Sequence, residues 1–177
     1  FENRGIIEYD IDTILLSVDE KGSSEVSELL KSGKRWDAII QLGLAARRQK
    51  ISLEKYAMNK SQFKVKDNSN RRSEGVIIPG ADELQKTTAS IHVLDEEFED
   101  ENRVVWSDDA GGFVCNETIF RTLNTIRELE INLKSDKLIP AIFIHLPPSK
   151  FIDLESQFDL VTRAVKTIAN RPILEVV

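Results

Sequence analysis

The chain holds one cysteine, Cys115, and two histidines, His92 and His145. Cys115 follows a short apolar run, Arg103 to Trp106 (RVVW), and a turn-rich run, Ser107 to Gly112 (SDDAGG). Asn116 comes next and suits the N-cap of a helix beginning at Glu117. A thiol at such a junction feels the positive end of the helix dipole, which favours thiolate, and backbone N–H groups there suit an oxyanion hole. The plainer alternative is a buried structural cysteine. His145 closes the apolar run Ile139 to Leu146 (IPAIFIHL), just before Pro147 and Pro148. Ligands of open α/β sheets bind beyond the carboxyl ends of parallel strands, and Cys115 and His145 both follow a strand toward that edge. A Cys–His pair supplies a nucleophile and a base, and it needs a third group, usually Asp, Glu or Asn, to orient the imidazole. Glu54, within Ile51 to Asn59 (ISLEKYAMN), reads from its spacing alone as a solvated helix charge. His92 falls on an acidic helical stretch and reads as a surface residue.

These residues must be positioned by alternating strands and helices. Asp12 to Val18 (DTILLSV) is β-branched and apolar, and predicts a buried strand. Ser23 to Leu30 places Val26, Leu29 and Leu30 on one helical face, and Gly33 suits the stop. Trp36 to Leu44 (WDAIIQLGL) predicts the next strand, completing a βαβ unit and favouring a parallel sheet. Residues 45–80 are polar and basic and predict a long irregular connection. Helical spacing returns from Ala81 to Phe98, from Asn116 to Leu133 and from Leu154 to Ala169. Arg103 to Trp106 and Ile139 to Leu146 predict further strands. The fold class expected is α/β, a three-layer α/β/α sandwich on a mostly parallel sheet.

Composition narrows the function. The chain has 177 residues, 41% hydrophobic and 31% charged, with a formal net charge of -6. That length suits a single domain over residues 1–177. Without a basic stripe interleaved with aromatics, nucleic acid is not an expected partner. Apolar runs fall short of the roughly 20 residues that span a bilayer, so no membrane partner is expected. A single cysteine makes no internal disulfide, which fits a cytoplasmic protein, and no multi-thiolate zinc site, and two histidines leave little for any other metal site.

Three segments resemble the signatures of the pyroglutamyl peptidase I family of cysteine peptidases. Gly43 to Asn59 (GLAARRQKISLEKYAMN) is similar to the segment of the family's catalytic glutamate, which aligns with Glu54. Ser107 to Asn116 (SDDAGGFVCN) is similar to the nucleophile segment, with Cys115 as the cysteine. Phe143 to Pro147 (FIHLP) is similar to the histidine segment, with His145 as the base. The resemblance spans about residues 36–150, and the Glu, Cys, His order agrees. It implies a phosphorylase/hydrolase-like fold and hydrolysis of the amide after an N-terminal pyroglutamyl residue of a peptide, without a cofactor. It also implies that Phe113, Val114 and Val65 line an apolar pocket for the pyrrolidone ring. Lys64 stands where the family usually has an arginine near the nucleophile, and it keeps the charge but loses the planar fork. The family opens with a strand and an aromatic loop. The first strand has no counterpart here, and Phe1 takes the place of the last residue of that loop. Leu44 stands where the family has Gln, and Ala46-Arg47 where it has Gly-Gly. Two other readings stay open: a related cysteine amidohydrolase for another small acyl group, and a catalytically silent protein of the same fold. A homo-oligomer is compatible with all three.

Overall fold

The computed structural model describes residues 9–134 and 136–169. Its elements in chain order are α1 (Glu20–Lys31), β1 (Ile39–Leu44), β2 (Ile51–Glu54), β3 (Tyr56–Met58), β4 (Ser61–Gln62), β5 (Glu74–Gly75), β6 (Leu84–Lys86), α2 (Ile91–Glu97), β7 (Val104–Ser107), α3 (Val114–Glu128), β8 (Ala141–Leu146) and α4 (Leu154–Ala169). The main sheet runs β1-β8-β2-β7, and the pairs β3-β6 and β4-β5 form two small ribbons. β1 lies parallel to β8, and β2 lies parallel to β7. The two pairs meet antiparallel between β8 and β2. The sheet is therefore mixed, with two of its three strand pairings parallel.

Strand alternation explains the layers. Ala141 and Phe143 of β8 pack with Val26 and Leu30 of α1 and Ile119, Phe120, Leu123 and Ile126 of α3. Ile142 and Ile144 point the other way, to Leu94 of α2 and Leu160, Ala164 and Ile168 of α4. β8 is thus covered on both faces, which is why it reads as an unbroken apolar run. Each fully buried Leu, Ile or Phe in these layers contributes about 1.5–3 kcal/mol. The result is the expected three-layer α/β/α sandwich. No helix among the described residues is long and apolar enough to cross a membrane.

Four local expectations need correction. Asp12 to Val18 is irregular, not a strand, so the first βαβ unit does not form. Leu15 in it is 97% exposed. Its ends are tied instead by polar contacts: Asp12 accepts from Trp36 Nε1 at 2.8 Å and pairs with Lys34. A β-rich composition makes a strand only where a half-buried surface is there to receive it. Asp19 caps α1 by accepting from the Gly22 N–H at 3.0 Å, so the helix starts three residues before Ser23. Residues 81–98 divide into β6 and the shorter α2. β6 pairs with β3, and the Thr87 and Thr88 hydroxyls donate to the Ala141 and Ile139 carbonyls, each at 2.7 Å. Those tertiary bonds override the helical spacing. Finally, the stretch expected to be irregular supplies β2, whose four residues are all buried between β8 and β7.

Candidate active site

His145 lies on β8 with Gly43 of β1 as its register partner on one side and Ser52 of β2 on the other. It shares the sheet face of Phe143 and Ala141, the face covered by α3. Glu54 ends β2 two residues after Ser52, and alternation puts it on that same face. The His145 Nδ1 lies 2.7 Å from Glu54 Oε1. The carboxylate accepts, so Nδ1 donates to it, and Nε2 is the ring nitrogen left for other partners. The Glu54 side chain is 0% exposed and that of His145 6%.

Cys115 reaches this face from above, as the second residue of α3. A Cβ built on Gly43 would stand 3.2 Å from the Cys115 Sγ and 2.7 Å from Phe143 Cζ. Gly43 therefore has no side chain because the nucleophile's sulfur and a core ring fill its place. The thiol rests on the strand position that pairs with His145. The loop delivering it turns at Gly111, whose φ of 85° is left-handed. Gln62 of β4 donates its N–H to the Gly112 carbonyl at 2.8 Å and holds the loop's end.

The three residues thus converge across the face of the sheet, not at one edge. β7 and β8 run in opposite directions, so their carboxyl ends cannot share an edge. Two further corrections concern Cys115. The helix N-cap is Phe113, and Asn116 lies inside α3. And the dipole does not win: burial pushes the Cys115 thiol up to about 11, the Glu54 charge adds to that, and Arg48 opposes it. That direction favours the thiol over the thiolate.

Asn116 has a different task. Its side chain accepts from the Met58 N–H at 2.8 Å and donates to the Met58 and Lys60 carbonyls at 2.8 and 3.0 Å. It fastens β3 and the start of β4 to the nucleophile's helix, and it is 0% exposed. Asn116→Ala should lower stability by about 2–4 kcal/mol, because it strands several buried backbone groups. Denaturant unfolding measures this, and a loss below about 0.5 kcal/mol would deny the role.

The other expected site residues are placed less closely. Val114 is buried, and the Phe113 ring lies 4.6 Å from that of Phe63. Val65 is 60% exposed and Lys64 is on the surface. Leu44 is 69% exposed at the end of β1. Phe1 lies outside the described residues. His92 is on the surface, as expected. Sequence reading missed Arg48, whose Nη1 donates to Glu54 Oε1 at 2.6 Å. The available signal was Glu54 itself, since a carboxylate buried in a sheet needs a cation.

A thiol resting beside a histidine that is hydrogen-bonded to a buried carboxylate, on an α/β scaffold, is an arrangement suited to a cysteine hydrolase. Residues 3–168 match the pyroglutamyl peptidase family model, and the chain belongs to that family. It is 25% identical over 176 residues to a pyrrolidone-carboxylate peptidase of Thermoanaerobacter sp. (strain X514), covering 96% of this chain and 84% of that protein. It is 29% identical over 158 residues to one of Thermosipho melanesiensis, covering 88% and 74%. The crystal structure of pyrrolidone carboxyl peptidase from Thermus thermophilus matches with a TM-score of 0.68 at 25% identity, over 86% of this chain and 80% of that one. The Thermococcus litoralis structure matches in fold with a TM-score of 0.72 at 23% identity, over 86% and 74%.

Proposed function

We propose that this chain is a cysteine peptidase that removes pyroglutamate from the N-terminus of peptides, with residues 1–177 as one catalytic domain. The observation that carries the reading is the 2.7 Å bond between Glu54 and His145, with His145 the register partner of Gly43, the position on which the Cys115 sulfur rests. Cys115 attacks the amide carbonyl that joins pyroglutamate to the next residue. Its proton passes to Nε2 of His145 as the S–C bond forms, since the thiol rests protonated. Glu54 holds the ring and balances the charge of the imidazolium. His145 then returns the proton to the leaving amine, and water, deprotonated by the same nitrogen, hydrolyses the thioester. The first turn of α3 receives no side-chain cap hydrogen bond from its N-cap residue, Phe113. Its N–H groups are therefore available to the developing oxyanion. Phe113 and Val114 supply the apolar wall for the ring, with Val65 and Lys64 on the neighbouring loop. The reaction needs no metal or organic cofactor. The single cysteine supports a cytoplasmic setting.

The ring is flat and uncharged, so a mostly apolar slot with a few hydrogen bonds suits it. Glutaminyl and prolyl amides carry an ammonium that such a slot leaves unpaired. The test compares kcat/KM for pyroglutamyl, prolyl and glutaminyl derivatives of one fluorogenic amine. A preference for pyroglutamate of roughly several hundred-fold is expected. Equal rates, or no cleavage of the pyroglutamyl amide, would overturn the reading and point to another acyl group beside the exposed Leu44.

A further inference from the structure

We propose that Arg48 is a positioning residue, one guanidinium that holds the Glu54 carboxylate toward His145 and ties the nucleophile's loop to it. The inference rests on the peptidase reading for its effect on turnover, and on geometry for its origin. Arg48 Nη1 donates to Glu54 Oε1 at 2.6 Å, and Nη2 donates to the Asp109 carbonyl at 2.8 Å. Asp109 belongs to the loop between β7 and Cys115, so the two prongs grip two different parts of the site. The backbone of Arg48 is held as firmly. Its N–H donates to the Ala45 carbonyl at 3.0 Å, closing a turn, and the Ala45 N–H donates to the Leu146 carbonyl at 2.8 Å. Leu146 follows His145. The base, the carboxylate and the nucleophile's loop are therefore bound to one another through a single residue.

The charge matters as much as the reach. Glu54 is wholly buried, and His145 offers its carboxylate one hydrogen bond. Among the described residues, Arg48 is the cation paired with it. The Arg48 side chain is 27% exposed, which keeps part of its own hydration. A lysine keeps the charge but has no planar fork with which to reach both acceptors. Charge and bridging can thus be separated by substitution. The charged groups that act on Cys115 are Glu54 from β2 and Arg48 from the turn after β1, and His145 of β8 is the register partner of Gly43, on which the thiol rests. Glu117, further along α3, is engaged by Arg71 and Arg121.

The test uses Arg48→Met and Arg48→Lys in the whole chain, with two readouts. The first is steady-state hydrolysis of a pyroglutamyl amide. Arg48→Met should lose about 100-fold or more in kcat with little change in KM, because Arg48 positions groups and does not touch substrate. Arg48→Lys should recover only part of that loss. The second is the pH dependence of Cys115 alkylation by iodoacetamide, which needs no substrate. The profile should move to higher pH in Arg48→Met, where the cation opposing Glu54 is gone, and stay near wild type in Arg48→Lys. If Arg48→Met does not fold, Arg48→Lys decides alone: wild-type kcat in that variant refutes the bridge. An unmoved alkylation profile in folded Arg48→Met refutes the charge role. If the wild-type chain does not cleave the pyroglutamyl amide, the peptidase reading fails, while the alkylation arm still decides the role of Arg48.

Discussion

Cys115→Ala should yield a folded protein with no measurable turnover of a pyroglutamyl amide, a loss on the order of 10^6-fold. The fold should survive because the change removes one sulfur from the α3–β1 contact. Gly43 and Phe143 remain packed around the space. A cavity of that size costs about 1 kcal/mol. Cys115→Ser keeps the shape and should be nearly as inactive, since a hydroxyl proton is held far more tightly than a thiol proton. Thermal unfolding and a fluorogenic assay together make the measurement. Residual activity within about tenfold of wild type in Cys115→Ala would remove the residue from the chemistry.

The second large effect is an ordered one. His145→Ala should cost about 10^4-fold or more in kcat, and Glu54→Gln a smaller but still large factor. The reason lies in the state of the thiol. With burial pushing Cys115 up to about 11, little thiolate exists at neutral pH without a proton acceptor. In the proposed mechanism His145 is that acceptor. Glu54→Gln keeps a side chain that can accept from Nδ1, but it takes away the charge that favours imidazolium. It also leaves the Arg48 guanidinium beside a neutral amide, so some stability should be lost with the activity. Measuring kcat and unfolding on the same preparations separates the two. Wild-type kcat in Glu54→Gln would exclude the carboxylate from the mechanism, and equal losses in both variants would mean that Glu54 does more than assist His145.

Much of the framework was legible from apolar patterning. The run Ile139 to Leu146 announced a strand covered on both faces, and β8 is that strand. The spacing of Ile119, Leu123 and Ile126 announced α3, and Gly33 marked where α1 ends with a φ of 99°. The resemblance around Cys115, Glu54 and His145 located residues that the fold then brings to one sheet face. What patterning could not reveal was set by partners distant in sequence. Ile51–Glu54 is a central strand because β8 and β7 flank it, although its neighbours in the chain are polar and basic. Asp12 to Val18 has strand composition but finds no sheet edge. Asn116 looks like a cap and instead spans to β3, 58 positions back. The dipole argument for Cys115 was sound for an exposed helix end and failed because desolvation is the larger effect. Arg48 looked like one more basic loop residue until the carboxylate it neutralises was found in the core.

The sheet order has a consequence for when activity can appear. β8 is the last strand in chain order among the described residues, yet it is inserted between β1 and β2. The bond from His145 to Glu54 spans 91 positions. On the ribosome, an emerging chain that ends before residue 141 has Cys115 and Glu54 but neither His145 nor the strand that joins the two halves of the sheet. Contacts of such long range close late, after their loop entropy has been overcome. Synthesis itself therefore sets an order: His145 meets Glu54, and the middle of the sheet is filled, only after residues 141–146 have emerged.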